Sequence, residues 1–257
     1  MHEGAARFLR KNDLDPIISY AGVNKRRSTD SKEFKPSGRL PPKVQEDFGM
    51  LTKLRSKLLG SRIGGRKWYQ SVELVDGASS TTTTTHERAQ RRTNSFSRWI
   101  PKIVEPTDHV VDLGCNAGLF CCEAAQICDS VVGVEIDKDF VAQARLLLEN
   151  WKKRGKKVDN VEIVHGDVTE DLSLLKDTTL LFASKVLYHK GLGDRLHVLM
   201  EGIRQSKIDR ILAQGHTTQG ELGSYEGMER LFAKYGFSTE MLEDVFEYPI
   251  VLARRAA

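Results

Sequence analysis

The 257 residues are enough for one ordinary domain and an extension, because single domains reach about 250 residues. Hydrophobic residues make up 40% of the chain, slightly less than a compact domain uses, so part of it is expected to lie outside the core. No apolar run is long enough to cross a membrane and no signal-peptide pattern begins the sequence, so we expect no membrane partner and a cytoplasmic location.

Residues 1–66 are predicted to form a basic arm. Through Lys67 the sequence carries sixteen Lys and Arg against seven Asp and Glu, whereas the whole chain has a net charge of +4, so the remainder is acidic. We expect the arm to be partly disordered or helical, or to form an oligomer contact. RNA binding is the alternative, although the arm shows no recognisable RNA-binding motif of interleaved basic and aromatic residues.

Residues 67–100 differ in pattern from the arm. Residues 68–77 alternate as a strand does and end in Asp-Gly, which is a turn signal. The hydroxyl-rich tract 79–85 is predicted to be a loop, and a loop over a cleft is where lids are found. Residues 86–100 are predicted to form a helix. This segment is expected to cover a ligand site on the domain that follows.

Strands and helices alternate regularly from Val110 onward. This alternation predicts a Rossmann-like α/β domain over 101–257, with a doubly wound and mostly parallel seven-stranded sheet. The last two strands follow without a helix between them, so they form a hairpin whose final strand runs antiparallel. The predicted strands are 110–113, 130–136, 160–165, 178–184, 209–214, 238–245 and 247–254, and the predicted helices are 118–127, 138–154, 170–176, 192–205 and 224–235.

The first strand ends at Asp112 and continues into a turn between Gly114 and Gly118, and the second strand ends at Glu135. This strand, glycine turn, helix, strand and acid is the arrangement with which α/β sheets hold a nucleoside at the carboxyl ends of their strands. The turn lacks the second close-approach glycine that a pyrophosphate needs. The spacing therefore favours S-adenosyl-L-methionine over a dinucleotide.

Each part of that ligand has a candidate partner. Asp112 is expected to reach the ammonium group through the loop or a water, and backbone N–H groups of residues 114–118 the carboxylate. Glu135 is expected to accept both ribose hydroxyls and Asp167 the adenine amino group, because carboxylates suit these donors. Ile136 or Val168 would flank the ring.

Residues 112–120 resemble motif I of the class I S-adenosylmethionine-dependent methyltransferases, and residues 131–137 resemble motif II. Residues 68–77 and 186–189 resemble more narrowly the branch containing tRNA wobble-uridine carboxymethyltransferases and related small-molecule methyltransferases. That resemblance implies that Trp68 covers the cofactor and that Tyr188 lies beside its reactive end. The candidate cofactor-binding residues are Asp112, Gly114, Cys115, Asn116, Gly118, Glu135, Ile136, Asp167, Val168, Ser184 and Trp68.

The acceptor is expected at the rim that follows the fourth and fifth strands. His189 is the first candidate for a general base, because a free imidazole titrates near neutral pH; a role in capping the next helix is the alternative. Tyr188 and Lys185 are the other candidate catalytic residues, with Lys185 either binding an anionic acceptor or solvated. His216 is a second candidate base.

The sequence therefore predicts a methyltransferase that acts on a small molecule, at oxygen. An RNA (tRNA) methyltransferase and a non-catalytic cofactor-binding partner subunit are the alternatives. No metal site is expected, because the spacing of the four cysteines (Cys115, Cys121, Cys122 and Cys128) matches no zinc pattern. They are expected to be buried thiols.

Overall fold

The computed structural model describes residues 72–73, 79–80, 95–189, 191–245 and 248–256, with the backbone alone at 72–73, 79–80, 244 and 245. The predictions for the arm 1–66 and for Trp68 lie outside the described residues. Within 67–100, Val72–Glu73 pairs antiparallel with Ser79–Ser80. The hydroxyl-rich tract predicted to be a loop therefore begins in a short strand.

The sheet has the order β3-β2-β1-β4-β5-β7-β6, and β7 runs antiparallel to both of its neighbours. The predicted seven-stranded Rossmann-like fold is confirmed, because β1 to β5 are parallel and the final strand is reversed. The strands are β1 (His109–Leu113), β2 (Ser130–Glu135), β3 (Val161–His165), β4 (Leu180–Ser184), β5 (Arg210–Gln214), β6 (Phe237–Val245) and β7 (Tyr248–Arg255).

Two predicted helices differ from those observed. The helix predicted over 86–100 is broken by a turn at 98–99 in its described part, and a new helix then starts with Pro101 in its first turn. The helix predicted from 192 starts only at Arg195, because Gly193 has a positive φ of 37° that a helix does not accept. The helices are α1 (Ile100–Ile103), α2 (Leu119–Ala125), α3 (Lys138–Lys153), α4 (Arg195–Gln205) and α5 (Tyr225–Lys234), with a 3-10 turn at Leu172–Leu175.

Both faces of the sheet are covered, as parallel sheets require. Residues alternate along each strand, so Phe182 faces the core under α2 and α3, whereas Leu181 faces the core under α4 and α5. Phe96, fully buried, packs with its ring centroid 4.5 Å from that of Phe120 and 5.6 Å from that of Phe182. This packing joins the segment before α1 to α2 and to β4.

The glycine turn after β1 depends on close packing against α3. Gly118 precedes α2 with φ at +77°, a left-handed conformation that favours glycine. A Cβ placed there would lie 3.0 Å from the Cβ of Ala144 on α3. Gly118 therefore allows α2 and α3 to approach each other beside the turn.

We expect Gly118→Ala to lower the free energy of unfolding by about 2–3 kcal/mol, because left-handed strain and overpacking add. Gly155→Ala is the matched control: Gly155 has φ at +72° but nothing within 4 Å of an added Cβ. That variant should lose only the backbone contribution, about 1 kcal/mol. Urea denaturation measures both values, and equal losses would contradict the packing argument.

Candidate functional site

The carboxyl ends of β1 to β5 open into one cleft of about 920 Å³. The structure brings most of the predicted site residues together along its wall: Asp112, Gly114, Asn116, Glu135, Ile136, Asp167, Val168, Ser184, Lys185, Tyr188, His189 and His216. Cys115 and Gly118 do not line this cleft. Both are buried beneath the turn, where the thiol of Cys115 lies against β2 near Gly133.

The turn after β1 is shaped by three residues with positive φ: Gly114, Asn116 and Gly118. Gly114 has no room for a side chain, because a Cβ would lie 2.9 Å from Cγ2 of Val186. The side-chain oxygen of Asn116 accepts from the N–H of Ala117 at 2.9 Å and so stabilises its own left-handed conformation. The N–H groups of residues 115 to 118 all bond within the protein, to oxygens of Val134, Glu135, Asn116 and Cys115 respectively. The expectation that they bind a carboxylate is therefore wrong at these four positions, and the turn presents the bare backbone of Gly114 to the cleft.

Glu135 ties this turn to the end of β2. Its Oε2 accepts from the backbone N–H of Asn116 at 2.9 Å, and its Oε1 accepts from the N–H of Asp137 at 2.9 Å. Only 7% of the residue is exposed. Each oxygen keeps acceptor capacity toward the cleft, so a carboxylate of fixed orientation is available for a pair of hydroxyl donors.

Asp112 lies at the floor of the cleft and is 1% exposed. Its pKa is raised from 3.8 to about 7. Burial is the largest cause, a hydrogen bond from the Cys121 thiol opposes it, and the nearby charge of Glu135 adds to it. The Sγ of Cys121 lies 3.4 Å from Oδ2 of Asp112. A cation placed above Asp112 would therefore stabilise its ionised form.

Asp167 follows β3 and is fixed from two sides. Its Oδ1 accepts from the N–H of Thr169 at 2.9 Å and from the hydroxyl of the same residue, and its Oδ2 forms an ion pair with Arg195. Burial opposes ionisation, but the bonds from Thr169 and then Arg195 hold the pKa of Asp167 below 3.8. The sequence did not indicate Arg195, since only the fold brings the start of α4 beside β3.

Four ring side chains surround the acceptor rim. The rings of Tyr188 and His189 are stacked, with 5.6 Å between centroids and 13° between planes. The ring of His216 stands at 89° to that of Tyr188, and its Nε2 lies 3.4 Å from the hydroxyl of Tyr248. The ammonium of Lys185 lies 4.9 Å from the centre of the Tyr248 ring. Tyr248 was not anticipated, because it belongs to the antiparallel β7.

A polar chain runs beneath this rim. The hydroxyl of Ser184 donates to Oε1 of Gln214 at 3.0 Å, and Nε2 of Gln214 donates to the hydroxyl of Ser95 at 3.1 Å. Gln214 lines the cleft although it is only 2% exposed. The sequence missed Gln214 because a glutamine at the end of a buried strand has no distinctive pattern.

The four cysteines are free and buried, as the sequence predicted. In the part of the chain that the structure describes, no group of three His, Cys, Asp or Glu side chains could hold a metal ion. No helix there is long and apolar enough to cross a membrane.

Residues 110–207, which include the turn, Glu135, Asp167 and the rim residues up to His189, match the family model of a methyltransferase domain. This is the region that builds the cleft from β1 to α4. Residues 110–207 are therefore a methyltransferase domain, that of an S-adenosylmethionine-dependent enzyme.

Two curated relatives give local similarity. Both are described as 23S rRNA (uracil(1939)-C(5))-methyltransferase RlmD. The one from Xanthomonas axonopodis pv. citri is 39% identical over 67 residues, and the one from Shewanella sediminis is 39% identical over 84 residues. The matches cover 26% and 33% of this chain. The chain thus spans only 14% and 17% of the length of these relatives.

Solved structures share the fold over a larger part of the chain. The magnesium protoporphyrin IX methyltransferase of Synechocystis, solved with S-adenosylmethionine, has a TM-score of 0.55 and 14% identity, covering 86% of this chain and 100% of that one. The YcgJ protein of Bacillus subtilis has a TM-score of 0.52 and 11% identity, covering 64% and 99%. At such low identity these likenesses establish the fold alone.

We expect the burial of Asp112 to be visible as a pH dependence of stability. Above about pH 4 the unfolded chain releases this proton while the folded chain keeps it up to about pH 7, so the free energy of unfolding falls as pH rises between these values. Asp112→Asn should remove up to about 1.4 kcal/mol per pH unit from that slope.

Glu123 is the comparison, because burial also raises its pKa to about 7 and it does not line the cleft. Glu123→Gln should remove a separate part of the slope, and the double variant should remove both. Urea denaturation from pH 4 to pH 8 supplies the values. An unchanged slope in Asp112→Asn would show that Asp112 titrates normally.

Proposed function

We propose that this protein transfers the methyl group of S-adenosylmethionine to an oxygen of a small-molecule acceptor. One observation supports this proposal most strongly: the same cleft is lined on one side by carboxylates at the ends of β1 to β3 and on the other by histidine and tyrosine rings after β4 and β5. A cleft of about 920 Å³ is of the size that holds a nucleoside-sized ligand and a second small molecule.

The first wall fits S-adenosylmethionine group by group. The doubly anchored carboxylate of Glu135 suits the two ribose hydroxyls, and Asp167 suits the adenine amino group. Ile136 is 63% exposed and lines the cleft, so it offers an apolar face to the adenine ring. Asp112 suits the ammonium group. When bound, S-adenosylmethionine supplies a methyl group already activated by its sulfonium.

The second wall would orient the acceptor. Much of the rate of an in-line displacement comes from holding the attacking oxygen in position, and Tyr188 and Lys185 line the cleft where it would lie. His189 is exposed and lines the same wall, so it would take the proton of a hydroxyl acceptor. Its ring is held by the stacking with Tyr188.

RNA is the second candidate acceptor. The local similarity to two rRNA methyltransferases supports it, and so does the excess of basic residues before residue 68. The cleft volume of about 920 Å³ accommodates the cofactor and one small molecule, which favours the small molecule. A screen for labelled methyl transfer to fractionated cell extract, with and without ribonuclease, separates the two, because ribonuclease would abolish the labelling of RNA alone.

We expect Glu135→Gln to weaken S-adenosylmethionine binding by about 10- to 100-fold, because an amide lacks the charge and one of the two acceptor oxygens. Glu162→Gln is the matched control, since Glu162 is an exposed acid on β3 that does not line the cleft. Isothermal calorimetry with S-adenosylmethionine and S-adenosylhomocysteine measures both affinities. Equal affinities, or no binding by the unchanged protein, would refute this cofactor site.

We expect His189→Asn to lower kcat by about 10²- to 10⁴-fold with a hydroxyl acceptor found in the extract screen, the usual contribution of a general base. The loss should shrink as pH rises, since the acceptor then ionises without help. His109→Asn is the control, because His109 lies at the opposite end of β1. If both variants retain full kcat, His189 is not the base.

A further inference from the structure

The charged side chains that line the cleft are separated by sign. The acids lie at the carboxyl ends of β1 and β2 or shortly after β2 and β3: Asp112, Glu135, Asp137 and Asp167. Basic side chains follow β4 and β5, and among the described residues no Asp or Glu lines the cleft on that side. The sheet order puts these two groups of strands on opposite sides of the boundary between β1 and β4. The acceptor side therefore favours a negative charge.

Lys185 is the strongest positive charge on the acceptor side. Arg195 also follows β4, but its guanidinium forms the ion pair with Asp167 on the other side. The basic groups that line the acceptor side with Lys185 are His189 and His216. A lysine ammonium offers three donors and no acceptor, so Lys185 is the group on this side that suits an anion.

The backbone holds Lys185 in an unusual conformation. Its φ is +63°, a left-handed value that is unfavourable for a lysine and persists only where the surroundings impose it. Its N–H donates to the carbonyl of Gln214 at 2.8 Å, which fixes the residue across β4 and β5. Such outliers concentrate at ligand sites. The backbone of Lys185 is thus fixed at the rim, where its ammonium group lies over the Tyr248 ring.

The rings beside Lys185 form a flat-sided corner. Tyr188 and His189 lie nearly parallel, whereas His216 is almost perpendicular to Tyr188. His216 is held in turn by the ring of Tyr248, 4.6 Å away, and its Nδ1 lies 3.1 Å from the hydroxyl of Thr218. Parallel and perpendicular faces are the two arrangements that aromatic rings prefer. A planar ligand ring could stack on one of these side-chain rings and meet another edge-on.

We propose that the acceptor is a planar aromatic acid, an aromatic carboxylate or an acidic phenol, that binds as its oxyanion beside Lys185 with its ring against Tyr188. This inference rests on the proposed methyl transfer. The acceptor oxygen forms its bond to the methyl carbon as the carbon–sulfur bond breaks, and that electron pair stays on sulfur. A carboxylate arrives without a proton, and a phenol gives its proton to His189.

Binding to the full chain saturated with S-adenosylhomocysteine tests the proposal. The probes are 2-naphthoate, its uncharged carboxamide, and decahydronaphthalene-2-carboxylate, which keeps the charge without the aromatic ring. We expect 2-naphthoate to bind about tenfold more tightly than either analogue in calorimetry, as a charge-assisted contact and a ring contact predict. Equal affinities for the three probes, or binding of none, would overturn the proposal.

Three variants assign the preference to residues. Lys185→Gln should abolish the preference for naphthoate over its carboxamide, whereas Lys185→Arg should keep it. Tyr188→Leu should abolish the preference for naphthoate over the saturated acid. Each ratio is read within one variant, so a loss of stability does not change it, and unchanged ratios would refute the roles of both residues.

Two further results separate this proposal from the broader one. Failure of S-adenosylhomocysteine to bind would refute the proposed function itself, whereas S-adenosylhomocysteine binding without acid preference would refute only the acceptor class. An RNA oligonucleotide is the competitor in a last titration. Tight binding of the oligonucleotide together with no binding of naphthoate would assign the acceptor side to RNA.

Discussion

The site depends on one carboxylate that joins two strands. Glu135 ends β2, and its two oxygens accept from the backbone of Asn116 in the turn after β1 and of Asp137 at the start of α3. Hydrogen bonds to a charged acceptor are stronger than neutral ones. Without this pair of bonds, the turn would be linked to the end of β2 only by the bond from the Cys115 N–H to the Val134 carbonyl, and the N-cap residue Asp137 would lose the bond that holds its backbone. Glu135, which would bind the ribose, therefore also fixes the backbone around the ribose site.

Packing supplies the rest of the constraint. The turn fits only because Gly114 lies under Val186 and Gly118 lies against Ala144. Both glycines occupy left-handed conformations, so the sequence at these positions serves backbone geometry as well as contact with a ligand. Cys115, which the resemblance placed among the cofactor residues, serves as a small buried side chain under the turn.

Much of the fold could be predicted from the sequence because it depends on period and order. The regular alternation from Val110 predicted the parallel sheet, and the absence of a helix before β7 predicted the reversed final strand. The start of α4 was misplaced, because the apolar pattern continues through Leu192 while the positive φ of Gly193 prevents a helix. Local backbone conformation of this kind does not appear in hydrophobic periodicity.

The site was predictable where a residue ends a strand and less so where distant segments meet. Asp112, Glu135 and Asp167 were indicated by their positions, since the ends of parallel strands share one edge. Arg195 and Tyr248 carry no local signal. Arg195 reaches the cleft through α4, and Tyr248 contacts the rings and the lysine of the acceptor rim from the antiparallel β7. The sequence indicated Lys185, Tyr188, His189 and His216 by their positions after β4 and β5, but not how they are held.

The central claim is that the carboxylates after β1 to β3 seat S-adenosylmethionine and direct its methyl group to the rim after β4 and β5. A crystal structure of the full chain with S-adenosylhomocysteine tests it most directly. The account predicts both ribose hydroxyls within hydrogen-bonding distance of Glu135, with the sulfur facing Tyr188 and His189. A ligand whose ribose lies away from Glu135, or whose sulfur points away from that rim, would contradict it.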